Sequence, residues 1–407
     1  MSNNVHRGVY VLGLSVFALG TTEFMISGLL PGMARELHVS VPQVGGLISA
    51  FAIGMLVGAP LLAVLTLRWP RKATLVGALV VFIGGQLLGA VAPDYAVLLL
   101  ARVITAGATG AFWAVGGVMA VTLGGKEHRA RALAIMVGGL TVANVLGVPL
   151  GTVIGDHGGW RGAFFAVAAA ALVGLLGILR WVPSMEGTRA KPDLAAELRV
   201  FRQPRIWVAL ATTALTSASI FGTFSYLAPL LTDVAGFADG AVPLLLGAFG
   251  VGAVIGLQVA GRLADRYPWA SLLVPFAALT VVLVTLALAG ARPVLVIIAV
   301  VLFGLTGFGT NPALNARVFG LAGDAPTLAN SVQVAAFNLG NTVGPLIGGA
   351  AIGAGLGFAS VPALSAVVVV LAVLATAVSI RMDRVRQPVA ETVTRAYASA
   401  PEKTLRP

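Results

Sequence analysis

Two ionisable residues lie inside long apolar runs of the sequence: Glu23, within the run 17–31, and Arg102. A charge buried in a membrane costs at least about 2.5–3.5 kcal/mol, so such residues usually pair with each other or serve transport. A buried carboxylate that exchanges an arginine partner for a proton is the minimum apparatus for proton coupling. The residue types therefore indicate proton chemistry. A static structural pair, or an Arg102 that extends toward the surface, remain as alternatives.

The rest of the chain predicts a bundle of membrane helices that positions these two residues. Mean hydropathy is +0.96 and 10% of residues are charged, against roughly 25% in a soluble domain. Because the backbone must satisfy its own hydrogen bonds in lipid, long apolar runs without alternation indicate helices that cross about 30 Å of hydrocarbon. The predicted spans are 9–32, 44–67, 73–92, 95–123, 132–155, 162–182, 206–232, 241–263, 270–290, 294–316, 327–353 and 359–380.

The positive charges predict the orientation of these spans. With both termini in the cytoplasm, 22 of the 26 lysines and arginines fall in cytoplasmic segments, whereas the reverse topology would put them outside. Short basic loops that face anionic lipid also explain the net charge of +11, so nucleic-acid binding is not expected. Arginine outnumbers lysine 22 to 4, a bias typical of high-GC bacteria. We expect a multi-pass protein of the bacterial inner membrane.

The two halves of the sequence repeat. Five residues that begin at Phe51 recur 198 positions later, and five that begin at Gly107 recur 197 positions later. The offset of six spans is even, so the two copies share one orientation, as in parallel-repeat transporters. The predicted division is a six-helix bundle at 1–182, a cytoplasmic linker at 183–205, a second six-helix bundle at 206–380 and a cytoplasmic tail at 381–407.

In this topology Glu23 and Arg102 lie at the same depth. Glu23 is eight residues before Pro31 in span 1, and Arg102 is eight residues after Asp94 in span 4. At 1.5 Å per residue, both lie roughly 12 Å below the outer ends of their helices. The two side chains can meet if spans 1 and 4 face one cavity.

Small residues in span 5 and one cytoplasmic turn are the candidate gate. Gly147, Pro149 and Gly151 give span 5 a flat face, which permits tight contact across the pseudo-twofold axis. Plain helix packing explains the same face. Asp265 and Arg266 follow span 8, and an aspartate near a helix C-terminus is unfavourable unless it is paired. We predict that it anchors inward closure; a solvated loop charge is the alternative.

Polar and aromatic residues on the cavity helices are the predicted substrate-binding residues. Small-molecule sites combine apolar walls with a few fixed polar groups. Trp113 lies three helical turns beyond Arg102 on one face of span 4. For each aromatic, plain packing or lipid contact is the simpler alternative. The predicted set is Trp113, Asn144, Phe221, Phe224, Tyr226, Asn338 and Asn341.

Together these motifs resemble the twelve-span drug:proton antiporter family of the major facilitator superfamily. The turn 261–266, the Arg102 and glycine pattern of span 4 and the Gly-x-Pro-x-Gly at 147–151 resemble that family's signatures. The runs around Thr22–Phe24 and Gly159–Arg161 are similar to those of actinobacterial chloramphenicol exporters and the sugar-efflux branch. One residue departs from the pattern, because Leu67 stands where the family has an aspartate in the first cytoplasmic turn.

The resemblance implies an all-α major facilitator fold with twelve helices in two pseudo-symmetric bundles. It implies a monomeric proton-coupled antiporter that exports a small amphipathic antibiotic of the chloramphenicol type. A sugar or nucleoside exporter is the alternative, and an intramembrane enzyme or receptor is a remote one. With no cysteine and no nucleotide or metal motif, no enzyme activity, cofactor or metal site is predicted. The expected partners are substrate, protons and lipid.

Overall fold

A computed structural model describes residues 6–66, 69–184, 200–264, 266–267, 269–290, 292–322 and 326–398 of the chain. Within these residues nine helical stretches are long and apolar enough to cross a membrane, or ten when one bent pair counts as a single span. That pair is Arg7–Phe24 and Ile26–Leu37, which meet at an angle of 49° and together form span 1. Span 1 is therefore broken at Met25.

The helices of the N-terminal half follow the predicted spans. The long helix Tyr95–Val142 departs from helical geometry at Gly125 and His128, which separates span 4 from span 5. Span 5 continues through a π-helical segment, and Gly159 (φ 73°) turns the chain into span 6. Besides span 1, the helices of this half are Val41–Leu65, Arg71–Ala90, Tyr95–Val142, the π-helix Ala143–Gly147 and Val148–Trp181.

The C-terminal half has the same plan, with span 7 ending in a second π-helix. Span 10 is broken between Phe308 and Asn311, and the helix of span 12 continues to Ala398, well beyond the predicted membrane end at 380. The helices are Pro204–Ser225, Leu227–Pro229, the π-helix Leu230–Val234, Val242–Ala264, Ala270–Leu288, Pro293–Phe308, Asn311–Ala322, Pro326–Gly353 and Ser360–Ala398; short 3₁₀ turns occur at Val200–Arg202 and Asp239–Ala241.

These helices account for all twelve predicted spans. The apolar stretch Arg131–Trp181 is 51 residues long and contains two spans, because the chain turns at Gly159. The helix Pro326–Gly353 has 28 residues, about 42 Å at 1.5 Å per residue. It carries three asparagines, a glutamine and two threonines. The all-α, twelve-helix architecture is confirmed.

The two halves contact each other from the middle of the membrane toward the end predicted to face outward. The Ser49 hydroxyl of span 2 donates to the Thr342 carbonyl of span 11 at 2.9 Å. Gly250 of span 8 packs directly on the backbone of Asn144 and Val145 in span 5. The halves are therefore packed together from the middle of the membrane outward, a contact called the outer closure below.

A shared carboxylate joins the predicted cytoplasmic ends of three C-terminal spans. Asp383 of span 12 forms ion pairs with Arg205 at the start of span 7 and Arg317 in span 10. The Arg317 guanidinium also lies 4.9 Å from the ring centre of Trp269. One acid thus balances two arginines that the orientation argument had counted only as loop charges.

The outer closure depends on the absence of a side chain at Gly250. A Cβ atom there would lie 2.7 Å from the Asn144 carbonyl oxygen and 2.8 Å from the Val145 Cα. Overpacking of this kind costs about 1–3 kcal/mol, so Gly250→Val should shift the equilibrium away from outer closure by about 5- to 150-fold. Disulfide formation between cysteines introduced at Ser49 and Thr342 of this cysteine-free chain measures the closure.

Gly247→Ala is the matched control on the same helix. Its Cβ would lie 3.4 Å from Pro149 Cγ, an ordinary van der Waals contact. Crosslinking should stay at the parental level in this variant. Equal crosslinking in Gly250→Val and Gly247→Ala would contradict the assignment of the contact.

Candidate transport site

Each face of span 1 meets a different part of the molecule near its break. Thr21 packs against Gly147, and Met25 packs against Gly151, so this face contacts span 5. Thr22 faces spans 3 and 4, where it bonds Gln86 and Arg102. Phe24 faces the C-terminal half, where its ring stacks on Phe221. Three successive faces of one helix thus contact three different groups of helices.

Glu23 lies between the faces of Thr22 and Phe24. Successive helical residues are about 100° apart, so the Glu23 side chain points away from span 5. It is partly exposed, and it forms no ion pair or hydrogen bond within the described part of the chain. The carboxylate is therefore available to a proton or a partner.

Arg102 is fully buried and bound to span 1, but not through the Glu23 carboxylate. Its Nη1 donates to the Thr22 carbonyl at 2.8 Å and contacts the Thr22 hydroxyl at 3.3 Å. Its Nε makes a longer contact of 3.5 Å with the Leu47 carbonyl, and its Nη2 has no partner among the described residues. The alternative in which Arg102 extends toward the surface is wrong. The direct ion pair that equal depth would allow is not formed in this structure.

An aromatic ring holds the Arg102 guanidinium from the side. The guanidinium carbon lies 4.3 Å from the ring centre of Phe51, a cation–π contact that stabilises a desolvated arginine by about 2 kcal/mol. Phe51 belongs to a small buried cluster with Met55 and Ala106, and Trp113 packs against that cluster. The structure therefore connects Trp113 to Arg102 through Phe51.

A cluster of phenylalanines occupies the C-terminal side of span 1. Phe221 lies within 5.4 Å of Phe24 and 6.4 Å of Phe308, measured between ring centres. Phe224 stacks on Phe249 at 4.7 Å. The sequence had singled out Phe221 and Phe224, and the structure adds Phe24, Phe249 and Phe308. Phe24 is the cluster's only described member from the N-terminal half.

The three predicted asparagines are buried, and each makes one side-chain hydrogen bond within the protein. The Nδ2 groups of Asn144 and Asn338 donate to the carbonyls of Leu140 and Val334, one helical turn before each. Asn341 Oδ1 accepts from the Ser217 hydroxyl of span 7 at 2.5 Å. The Oδ1 atom of Asn338 has no partner among the described residues. Each of the three amides therefore uses one of its two polar groups in a hydrogen bond within the protein.

Tyr226 lies at the contact between the halves. Its hydroxyl donates to the Pro345 carbonyl at 2.9 Å and lies against Gly45 of span 2 and Gly349 of span 11. Its ring belongs to the core of the N-terminal half. The phenylalanine cluster and Tyr226 are therefore in separate cores, although they are close in sequence.

The partner of the span 5 glycine face differs from the prediction. Gly147 and Gly151 pack against Thr21 and Met25 of span 1, inside the same half. The contact across the halves is made instead by the backbone of Asn144 and Val145 and by Pro149, where glycines of span 8 lie opposite. Gly147 and Gly151 thus pack within their own half, as the plain-packing alternative has it, whereas Pro149 of the predicted gate does contact the other half at Gly247.

The cytoplasmic turn lies largely outside the described residues. Asp265 and Leu67 are both outside them, so their roles stay predictions. Arg266 is exposed, and its guanidinium lies 5.5 Å from the ring centre of Tyr267.

The sequence comparisons identify the family. The sequence model of the Major Facilitator Superfamily matches residues 12–327. The chain belongs to the Major Facilitator Superfamily. It is thus a multi-pass transporter of the membrane rather than an enzyme, and members of this superfamily bind small-molecule substrates.

Two curated relatives from bacteria cover most of the chain. The inner membrane transport protein YdhP of Escherichia coli (strain K12) is 38% identical over 377 residues, which are 93% of this chain and 97% of YdhP. A chloramphenicol resistance protein of Streptomyces lividans is 40% identical over 348 residues, which are 85% of this chain and 89% of that protein.

Solved structures of major facilitator proteins share the fold. A bacterial homologue of the human lysosomal transporter Spinster, in an inward-facing and unoccupied conformation, aligns with a TM-score of 0.69 at 18% identity, over 94% of this chain and 98% of that one. The nucleoside transporter NupG aligns with a TM-score of 0.72 at 14% identity, over 92% and 99%. At these identities the likeness concerns the fold alone.

Sequence reasoning missed several residues of this major facilitator site. Thr22 and Phe51 contact the Arg102 side chain, and Gln86 bonds the Thr22 hydroxyl. A glutamine in the middle of an apolar span was a usable signal for Gln86. Neither Phe51 nor the Thr22 carbonyl carries such a signal, because a phenylalanine in a membrane helix is ordinary and every residue has a carbonyl.

Proposed function

We propose that this transporter exports a small amphipathic compound, of the chloramphenicol type, in exchange for protons. The observation that carries the proposal is the position of Glu23. Its partly exposed, unpaired carboxylate lies between Arg102, on the side of Thr22, and the phenylalanine cluster, on the side of Phe24. A proton site and an apolar surface thus share three consecutive residues of one helix.

The arrangement supports competition between a proton and Arg102 for the Glu23 carboxylate. Arg102 is bound to the main chain next to Glu23, so a small movement of its long side chain exchanges one partner for the other. Protonation removes the negative charge and with it the attraction to Arg102. Since Glu23 lies two residues before the break in span 1, a change in its charge acts where the helix is able to bend.

The phenylalanine cluster supports an aromatic or otherwise apolar substrate. Aromatic pairs contribute about 0.5–1.5 kcal/mol beyond simple burial, and Phe24, Phe221 and Phe224 present three rings at mutual centre distances of 5.4–6.3 Å. The relative named as a chloramphenicol resistance protein points to the same class of compound. Substrate bound at Phe24 would be adjacent to Glu23 in the chain.

A sugar or nucleoside substrate is the alternative. Such a substrate needs free amide groups, and the Nδ2 groups of Asn144 and Asn338 are bonded to carbonyls of their own helices. The Oδ1 atoms of Asn144 and Asn338 and the Nδ2 group of Asn341 make no hydrogen bond within the described residues, which keeps this alternative open. The phenylalanine cluster beside Glu23 favours the amphipathic compound.

Two assays of the unmodified protein test the proposal. In an efflux-deficient host, expression should raise resistance to chloramphenicol and related amphipathic antibiotics while leaving sugar and nucleoside export unchanged. In inverted vesicles, uptake of labelled chloramphenicol should require an acidic interior and collapse when a protonophore is added. Uptake that is indifferent to the protonophore would contradict proton coupling, and export of a sugar alone would support the alternative.

A further inference from the structure

Gln86 is a fully buried amide in span 3 that plays no part in the mechanism described above. Its Nε2 donates a short hydrogen bond to the Thr22 hydroxyl of span 1. Its Oε1 has no partner among the described residues. Burying an amide with an unsatisfied oxygen is unfavourable, so an apolar residue would pack here at lower cost. The contact with Thr22 is what distinguishes Gln86 from such a residue.

Thr22 connects Gln86 to Arg102. The Thr22 hydroxyl oxygen, which has two lone pairs, accepts from Gln86 Nε2 and lies 3.3 Å from Arg102 Nη1. Its main-chain carbonyl accepts from the same Nη1 at 2.8 Å. The two side chains therefore meet on one residue, and both leave a complementary buried atom unpaired: Oε1 of Gln86 and Nη2 of Arg102.

The Thr22 carbonyl is a special acceptor because of the break in span 1. In a continuous α-helix the carbonyl of residue 22 accepts from the N–H of residue 26. Here one helix ends at Phe24, and the next begins at Ile26 with a bend of 49°. Arg102 Nη1 donates to this carbonyl at the bend. The guanidinium thus acts as a cap for the broken helix.

Without Gln86, the Thr22 hydroxyl would have another partner. The neighbouring Thr21 hydroxyl donates to the Phe17 carbonyl, four residues earlier in its own helix, at 2.8 Å. Thr22 would be able to make the equivalent bond to the Ala18 carbonyl by rotating its side chain. That rotation would remove one of the oxygens that hold Arg102 beside the break.

We propose that Gln86 is a positioning residue for transport: through the Thr22 hydroxyl it holds Arg102 on the break of span 1 and so sets how readily Arg102 is released to Glu23. This inference rests on the proposed proton-coupled export. It assigns to span 3 a role in the coupling, although Gln86 touches neither the Glu23 carboxylate nor the phenylalanine cluster through any described hydrogen bond or ring contact.

The test measures chloramphenicol transport by purified protein in proteoliposomes with an imposed pH difference. Gln86→Met should lower kcat by about tenfold, because it removes one hydrogen bond to the Thr22 hydroxyl that holds Arg102. KM should change less than about twofold, because no substrate contact is removed. Gln86→Asn, whose shorter amide does not reach Thr22, should behave in the same way and guards against misfolding of the methionine variant.

A double-mutant cycle with Thr22→Val separates positioning from plain structure. If Gln86 and Thr22 act on Arg102 through one shared hydrogen bond, the double variant should transport as fast as the slower of the two single variants. Gln333→Met is the matched control, because Gln333 is a buried glutamine of span 11 that accepts from the Thr213 hydroxyl. Its kcat should stay within about twofold of the parent.

The outcomes distinguish this inference from the proposed function. Losses that multiply in the double variant, parental kcat in both Gln86→Met and Gln86→Asn, or an equal loss in Gln333→Met would each overturn the role of Gln86. These results would leave proton-coupled export intact. Failure of the unmodified protein to respond to the pH difference would instead overturn the proposed function.

Discussion

Glu23→Gln is expected to abolish concentrative export while the folded protein remains in the membrane. The substitution preserves size and most hydrogen bonding but removes the only carboxyl group between Arg7 and Arg35. One proton crossing about 100 mV supplies about 2.3 kcal/mol, enough for roughly 50-fold accumulation of substrate. The variant should accumulate none. Uptake into inverted vesicles, normalised to the amount of folded protein, measures the loss.

Glu36→Gln is the control for a carboxylate on the same span. Glu36 forms an exposed ion pair with Arg161 near the predicted outer end, and exposed ion pairs contribute only about 0–1 kcal/mol. Transport by this variant should be close to that of the parent. Proton-driven accumulation by Glu23→Gln at the parental level would remove Glu23 from the mechanism.

Arg102→Ala should weaken both the fold and the coupling. The substitution leaves the Thr22 carbonyl at the break of span 1 without its donor and removes the cation–π contact with Phe51. A buried acceptor without a partner costs about 1–3 kcal/mol, so the free energy of unfolding should fall by at least this amount. The Glu23 carboxyl also loses the positive charge that competes with a proton for it, and export should be weak.

Arg102→Lys separates charge from geometry. Lysine keeps the positive charge but lacks the planar fork that reaches several acceptors at once. We expect intermediate export and intermediate thermal stability, with both values between those of Arg102→Ala and the parent. Thermal unfolding and vesicle uptake measured on the same preparations provide the comparison. Full export by Arg102→Ala would show that Glu23 works without an arginine.

The sequence predicted the architecture well because membrane helices obey two strong constraints. Apolar runs of 18 residues or more have to span lipid as helices, and the distribution of lysine and arginine orients them. The common depth of Glu23 and Arg102 followed from these constraints, and Arg102 does reach the residue next to Glu23. The boundaries of the two six-helix bundles and the roles of the site residues stay predictions.

The side-chain partners in the site could not be predicted from the sequence, because they depend on interactions that hydrophobic periodicity does not encode. The break at Met25 frees a main-chain carbonyl for Arg102, and nothing in the sequence around Met25 marks it, since the proline of this span is at position 31. The glycine spacing in span 5 predicted a close contact but not its partner, because Gly147 and Gly151 pack against span 1 of the same half. Side-chain partners of Gln86 likewise depend on how three helices pack.

The most direct test of proton-coupled export is the proton movement that substrate itself drives. Proteoliposomes containing the purified protein and an internal pH-sensitive dye, with no initial pH difference, are exposed to a chloramphenicol gradient. Antiport predicts a proton flux opposite in direction to the drug, present in the parent and Glu36→Gln proteins and absent in Glu23→Gln. Drug movement without any change in internal pH, or equal proton flux in all three proteins, would contradict the account.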